Sequence, residues 1–123
     1  MAMIENVTPI LRVEDIARSR RYYVETLGFS LDWDADAMIS VSRDGKSIML
    51  CEREQGQPGT WLWIGVEDAD VLFAEVSARG ARIRTPPQNF TWASEFQLED
   101  PDGHVLRIGS EPKPGATDGV FKS

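Results

Sequence analysis

The chain has 123 residues, of which 41% are apolar and 27% charged, a composition ordinary for one globular domain with its own core. A net charge of −7 excludes the basic surface that binding to nucleic acid requires. No apolar run is long enough to span a membrane, and the N-terminus lacks the pattern of a secretory signal. The single cysteine, Cys51, can form no internal disulfide. We therefore expect a cytoplasmic protein with no nucleic-acid or membrane partner.

The first half of the chain is predicted to fold as a strand, a helix and three further strands. The first strand, Val7–Val13, can accommodate Pro9 at a sheet edge or a bulge. Asp15 suits the N-cap of a helix that ends at Gly28. The three strands that follow are Phe29–Asp34, Ala37–Arg43 and Ser47–Glu52, with Asp44-Gly45 as a hairpin turn.

The second half repeats this order. Val13-Glu14-Asp15 recurs 53 positions later as Val66-Glu67-Asp68, and Asp44-Gly45 recurs 58 positions later as Asp102-Gly103. Asp68 then begins a helix that stops at Gly80, followed by strands at Arg82–Thr85, Ala93–Glu99 and His104–Gly109. These patterns predict an α+β fold of two tandem βαβββ modules, about 4–54 and 60–110. The modules form a single domain, 1–110, with residues 111–123 as a C-terminal tail.

Three motifs carry a resemblance to a known family. They are the Val-Glu-Asp at the start of each helix, Thr26-Leu27-Gly28-Phe29 at the end of the first helix, and Asp100-Pro101-Asp102-Gly103 before the last strand. Together with the βαβββ repeat, they resemble the vicinal oxygen chelate superfamily, which includes glyoxalase I, extradiol dioxygenases, fosfomycin-resistance enzymes and bleomycin-resistance proteins. The resemblance covers roughly residues 4–109. It implies a curved mixed sheet around a cleft, commonly in a homodimer, and we expect a homodimer here.

The metal-dependent members of that superfamily hold their ion on the first and last strands of each module. The resemblance assigns these positions to Thr8, Trp61, Arg107 and Met49. A divalent ion prefers imidazole and carboxylate ligands, which all four residues lack, and an arginine repels a cation. We therefore expect no metal and no cofactor. The single histidine, His104, is predicted to be a surface residue of a turn rather than a ligand.

Strand alternation assigns another set of side chains to the cleft, opposite the side chains that face the helices. Trp33 and Trp92 are added because they lie on a hairpin and a loop, where exposed aromatic residues often contact ligands. The candidate ligand-binding residues are Trp61, Trp63, Arg107, Arg12, Met49, Glu95, Trp33 and Trp92. Two alternatives stay open. The tryptophans could instead fill a collapsed cleft or a dimer interface, and the arginines suit either salt bridges with Glu95 or Glu99 or contacts with a ligand carboxylate or phosphate.

The segments Val7–Leu11 and Val24–Phe29 are similar to the bleomycin-resistance branch of the superfamily, as is the loss of the metal ligands. That similarity implies metal-free, reversible binding of a small molecule, which in that branch is a glycopeptide antibiotic held between two subunits. We expect an antibiotic or another aromatic or cationic compound, because tryptophans favour stacking and cation–π contacts. Two other functions remain open: a metal-dependent lyase, isomerase or dioxygenase with non-standard ligands, and a sensing module that regulates a partner.

Overall fold

The structure, a computed structural model, describes residues 2–116. The chain consists of two compact units, with the boundary between Pro58 and Gly59. The first unit contains β1 (Ile10–Arg12), α1 (Ile16–Arg21), a π-helical turn (Tyr22–Thr26), β2 (Ser30–Asp34), β3 (Met38–Arg43) and β4 (Lys46–Cys51). Its four strands form one sheet in the order β1-β4-β3-β2. Only the β1–β4 pair of this sheet is parallel. We call this unit the first module.

The second unit, the second module, has the same order of elements. It contains β5 (Trp61–Gly65), α2 (Ala69–Ala78), β6 (Arg82–Asn89), β7 (Ser94–Glu99) and β8 (Val105–Ser110). Its sheet has the order β5-β8-β7-β6, again with one parallel pair, between β5 and β8. The predicted α+β fold of two tandem βαβββ modules is confirmed. The cleft and the homodimer remain predictions.

Both helical segments begin and end where the sequence indicates, although in the first module the α-helix is replaced by a π-helical turn at Tyr22. Asp15 accepts a hydrogen bond from the Arg18 backbone N–H at 3.2 Å, and Asp68 caps α2 in the same way. Gly28 and Gly80 adopt φ angles of 76° and 89°, which residues with a Cβ rarely adopt, and so end the two helical segments. Neither helix is long or apolar enough to cross a membrane. The cytoplasmic location remains a prediction.

The core of each module lies between its helix and one face of its sheet. Alternate strand residues on that face are apolar and buried, and Phe73 of α2 packs edge-on against Phe96 with ring centroids 5.3 Å apart. In the first module the buried strand residues include Leu11, Ile39, Val41 and Leu50; in the second they include Phe96, Leu98, Leu106 and Ile108. We call the opposite face of each sheet its open face, because the helix of that module does not cover it.

Two strands differ in length from the prediction by more than one residue. The first strand has three residues, Ile10–Arg12, and Val7 outside it is 86% exposed. β6 continues through Pro86 and Pro87 to Asn89, because it is the edge strand of its sheet and its register shifts between Thr85 and Gln88. A proline at an edge or a bulge leaves no partner strand without its hydrogen bond.

The prediction that His104 lies on the surface is wrong, because its side chain is fully buried. Its Nδ1 accepts a hydrogen bond from the Thr60 backbone N–H at 3.0 Å, and its own backbone N–H donates to Asp100 Oδ1 at 2.9 Å. The turn therefore folds the imidazole inward, where it supports the residue that precedes β5. Residues 117–123 of the predicted tail lie outside the described residues.

Candidate functional site

The open face of the second module carries two exposed tryptophans. Trp61 and Trp63 lie two residues apart on β5, so both side chains project from the same face. They are 51% and 53% exposed, although the intervening Leu62 and the following Ile64 are partly buried. Neither indole is therefore part of the core between this sheet and its helix.

A salt bridge between Arg107 and Glu95 lies beside Trp63. Trp63 pairs in register with Arg107 of β8, whose guanidinium carbon lies 5.3 Å from the centre of the indole. Nη2 of Arg107 donates to Glu95 of β7 at 2.9 Å to Oε1 and 3.2 Å to Oε2. Glu95 is fully buried, whereas the Arg107 side chain is 36% exposed. Of the two alternatives for this arginine, the structure contains the salt bridge to Glu95.

The same guanidinium keeps an unused donor. Nε of Arg107 is buried and has no hydrogen-bond partner among the residues that the structure describes. A buried donor without an acceptor costs about 1–3 kcal/mol. Because the atom is buried, an acceptor oxygen would reach it only after a movement of the surrounding side chains.

Trp61 has a second arginine beside it, which sequence reasoning did not select. The guanidinium carbon of Arg84 lies 4.7 Å from the indole centre of Trp61. Its Nη1 donates to Gln97 Oε1 at 2.7 Å, and its Nε lies 3.5 Å from Glu99 Oε1. Arg84 is the extra residue of a bulge in β6, between Ile83 and Thr85. Alternation around the apolar Ile83 could have indicated that Arg84 shares the face of Trp61.

Three other candidates lie on the open face of the first module. Met49 of β4 pairs in register with Ser40 of β3, and Ser40 pairs with Trp33 of β2, so these side chains form one row across the sheet. Trp33 is 41% exposed. Arg12 of β1 pairs with Cys51, and its Nε donates to the Gln55 carbonyl at 2.9 Å. The two open faces therefore carry different chemistry.

Trp92 lies apart from these rows, in the loop that joins β6 to β7. Its indole stacks on Phe90 with ring centroids 4.4 Å apart and an angle of 5° between the rings. Phe90 is buried, whereas Trp92 is 52% exposed. The loop therefore presents a third aromatic surface, which stacks on a buried ring.

The residues at the positions of the family's metal ligands do not fit a divalent cation. Thr8, Trp61 and Met49 offer neither imidazole nor carboxylate, and Arg107 places a positive charge there. The nearby carboxylate of Glu95 already binds that arginine through both oxygens. Within residues 2–116, no group of three or more His, Cys, Asp or Glu side chains is arranged to hold a metal ion.

Comparison with known proteins supports the fold. The model of the Glyoxalase/Bleomycin resistance protein/Dioxygenase superfamily matches residues 4–108. TnmS3, an antibiotic binding protein from Streptomyces sp. CB03234, is 25% identical with a TM-score of 0.78, over 92% of this chain and 99% of that chain. The bleomycin-binding protein from bleomycin-producing Streptomyces verticillus, solved with copper(II)-bleomycin, is 22% identical with a TM-score of 0.77, over 92% and 100%. TioX from Micromonospora sp. ML1 is 20% identical with a TM-score of 0.78, over 87% and 98%. No curated protein matches the chain.

Proposed function

The chain belongs to the Glyoxalase/Bleomycin resistance protein/Dioxygenase superfamily, and we propose that it binds a planar organic molecule reversibly and without a metal. One observation carries this proposal: two half-exposed indoles, Trp61 and Trp63, lie side by side on the open face of the second module. Residues two apart on a strand are separated by about 7 Å. Two fused rings, or two rings joined by a short linker, would therefore contact both indoles.

The arginines narrow the ligand class. Arg84 and Arg107 already lie within cation–π distance of Trp61 and Trp63, so a cationic ligand stacked on either indole would be repelled by a neighbouring positive charge. The guanidinium of Arg107, whose side chain is 36% exposed, favours an acceptor on the ligand instead. We therefore favour a planar ligand that is neutral or anionic and carries a carbonyl, carboxylate or sulfonate near its edge.

The biological role we propose is sequestration. Reversible binding lowers the free concentration of a compound by mass action and needs no bond-making step. TnmS3 is described as an antibiotic binding protein and the Streptomyces verticillus protein as a bleomycin-binding protein. We extend that role to this chain, with an antibiotic that bears a planar group as the ligand. A homodimer is part of the proposal, because each module ends its sheet in edge strands that a second copy could cover.

The test compares two planar fluorescent probes, the anion pyrenesulfonate and the cation proflavine, after dialysis of the protein against a chelator. We expect pyrenesulfonate to bind more tightly and to raise the melting temperature, with a linkage of about 2.7 kcal/mol at a hundredfold excess over Kd. Trp61→Ala and Trp63→Ala should each weaken binding by roughly 1–3 kcal/mol.

Val71→Ala is the matched control, because Val71 is a 65% exposed apolar residue on α2, outside the open face. Unchanged affinity in both tryptophan variants, or tighter binding of proflavine, would contradict the proposed site or ligand class. Elemental analysis of the purified protein, before dialysis against the chelator, should find less than one zinc, iron or manganese per chain. A stoichiometric metal that is required for binding would favour the lyase, isomerase or dioxygenase alternative.

A further inference from the structure

The indole of Trp63 occupies space that any side chain at Gly109 would need. A Cβ atom built on Gly109 would lie 2.3 Å from Cη2 of Trp63, 2.9 Å from Cζ2 and 3.1 Å from Cζ3. Nonbonded carbon atoms approach no closer than about 3.5 Å without strain. The six-membered ring of Trp63 therefore lies across the backbone of β8 at Gly109.

The backbone at Gly109 does not itself require a glycine. Its φ angle is outside the left-handed region, and the residue lies inside β8, where it pairs with Gly65 and Glu95. Glycine inside a strand weakens the strand by roughly 0.5–1 kcal/mol, and it commonly marks a close approach of another group. The group that approaches here is the indole of Trp63.

The first module supports this explanation. The residue of the first module that corresponds to Trp63 is Ile10, because Ile10 pairs with Met49 in the same way as Trp63 pairs with Arg107. The place of Gly109 is held by Cys51, which has a side chain. Where no tryptophan lies over the last strand, the chain has no glycine at this position.

We propose that Gly109 is a positioning residue of the ligand site, because its missing side chain lets Trp63 lie across β8 beside Arg107. This inference rests on the proposed function. Without that space the outer ring of Trp63 has to move away from the strand, since a tryptophan side chain yields more easily than a paired backbone. The ligand would then meet the indole at a different angle and lose its simultaneous contact with Trp61.

Gly65 provides a matched control. It lies next to Gly109 in the same row of the sheet, and its φ angle is also outside the left-handed region. A Cβ atom at Gly65 would lie 3.6 Å from Nε1 of Trp63, which is an ordinary van der Waals contact. Gly109→Ala and Gly65→Ala therefore make the same chemical change on neighbouring strands, but only the first displaces the indole.

The first measurement uses no ligand. Protein labelled with fluorotryptophan gives a fluorine NMR resonance for each of its four tryptophans, and Trp63→Phe identifies the one from Trp63. We expect Gly109→Ala to shift this resonance more than the other three and Gly65→Ala to leave it nearly unchanged. A Trp63 resonance that does not move in Gly109→Ala, or that moves equally in both variants, would overturn the inference.

The second measurement uses pyrenesulfonate. Gly109→Ala should weaken its binding by about fivefold or more and Gly65→Ala by less than about twofold, and Gly109→Ala should have no further effect in a Trp63→Ala background. If the variant moves the indole yet binds the probe as tightly as the natural chain, the positioning role is wrong and the proposed function stands. If the natural chain does not bind the probe, the proposed function fails for this ligand class, and the NMR shift alone decides whether Gly109 positions Trp63.

Discussion

The two modules share one backbone plan but differ completely on their open faces. In the first module, one row of paired residues reads Ile10, Met49, Ser40 and Trp33. The row at the same register in the second module reads Trp63, Arg107, Gln97 and Thr85. The helix-facing residues are apolar in both. The core therefore constrains one face of each sheet, whereas the open face can change its chemistry without changing the fold.

Each module has a β-bulge at the same place in its edge strand, and the side chains at the two bulges carry opposite charges. Asp32 is the extra residue between Leu31 and Trp33 in β2, as Arg84 is in β6. The Asp32 carboxylate accepts hydrogen bonds from the hydroxyls of Ser40, at 2.9 Å, and Ser42, at 2.6 Å. Arg84 contacts the residues at the same register of β7, an amide and a carboxylate. In each module the bulge turns one charged side chain onto the open face.

The largest expected effect comes from replacing only one member of the charged pair of the second module, Arg107, by its counterpart in the first. At the register of Glu95 and Arg107, the first module has Met38 and Met49. Arg107→Met leaves the buried Glu95 without its partner, so it should destabilise the protein by about 3–5 kcal/mol in urea unfolding. Glu95→Met should cost less, about 1–2 kcal/mol, because the partly exposed Arg107 can turn toward water.

The double variant Glu95→Met/Arg107→Met distinguishes this explanation from simple loss of packing. Replacing a buried ion pair by apolar side chains is often neutral, so the double variant should be within about 1 kcal/mol of the natural chain. A double variant as unstable as Arg107→Met would mean that the two open faces are not interchangeable. In that case the salt bridge would be part of the fold of the second module.

A second, smaller effect concerns how each module begins its helix. The first N–H of α1, from Ile16, donates to Glu52 at 2.6 Å, and the first N–H of α2, from Ala69, donates to Ser110 at 3.0 Å. Glu52 and Ser110 occur 58 positions apart, the same offset as the repeated turn. Glu52→Ala and Ser110→Ala should each cost about 1–2 kcal/mol in urea unfolding.

Glu54→Ala is the control for the caps, because this exposed carboxylate lies two residues from Glu52, and should change stability by less than about 0.5 kcal/mol. Glu52→Gln keeps an acceptor oxygen and should recover part of the loss. If Glu52→Gln were as unstable as Glu52→Ala, the negative charge at the start of α1 would matter more than the hydrogen bond. The two modules would then stabilise their helices by different means.

Sequence patterns predicted the fold because its signals are local and occur twice. Asp15 and Asp68 cap the helices, glycines end them, and alternating apolar residues define the strands. The bulges were missed because the register of an edge strand depends on its partner rather than on its own residues. Burial of His104 was missed because it depends on contacts with Thr60 and Asp100. The contact of the Trp63 indole with Gly109 could likewise not be predicted, because it depends on how β5 pairs with β8.

The same reason explains why residues 111–123 were predicted only as a C-terminal tail, with no contacts assigned to residues 111–116. Asn89 of β6 donates to the Lys113 carbonyl at 2.7 Å and accepts from the Lys113 backbone N–H at 2.8 Å. The Lys113 ammonium binds the carboxylates of Asp68 and Asp70 at the start of α2. These contacts link residues far apart in the sequence, so no local pattern indicates them.

The smallest expected effect is a pH dependence specific to the second module. The hydrogen bond from Lys113, with the Val71 backbone N–H, holds the pKa of Asp68 below its ordinary value of 3.8. The carboxylates of Asp70 and Asp68 raise the pKa of Lys113 above its ordinary value of 10.5. The Asp68 contribution to stability is thus present above pH 3.8 and lost in stronger acid, whereas the Lys113 contribution is present below pH 10.5 and lost in stronger base.

All three side chains are partly exposed, so salt should screen this contribution and keep it small. We measure the urea midpoint of unfolding as a function of pH. In Lys113→Gln the midpoint should no longer fall in strong base and should fall less in strong acid, and the difference from the natural chain should be larger at low salt. The counterpart of Asp68 in the first module, Asp15, accepts a hydrogen bond from the Arg18 backbone N–H, so Asp15→Asn should leave the stability in strong base unchanged. Equal pH profiles for Lys113→Gln and the natural chain would show that the contact of residues 111–116 with α2 contributes nothing to stability, and would remove this difference between the modules.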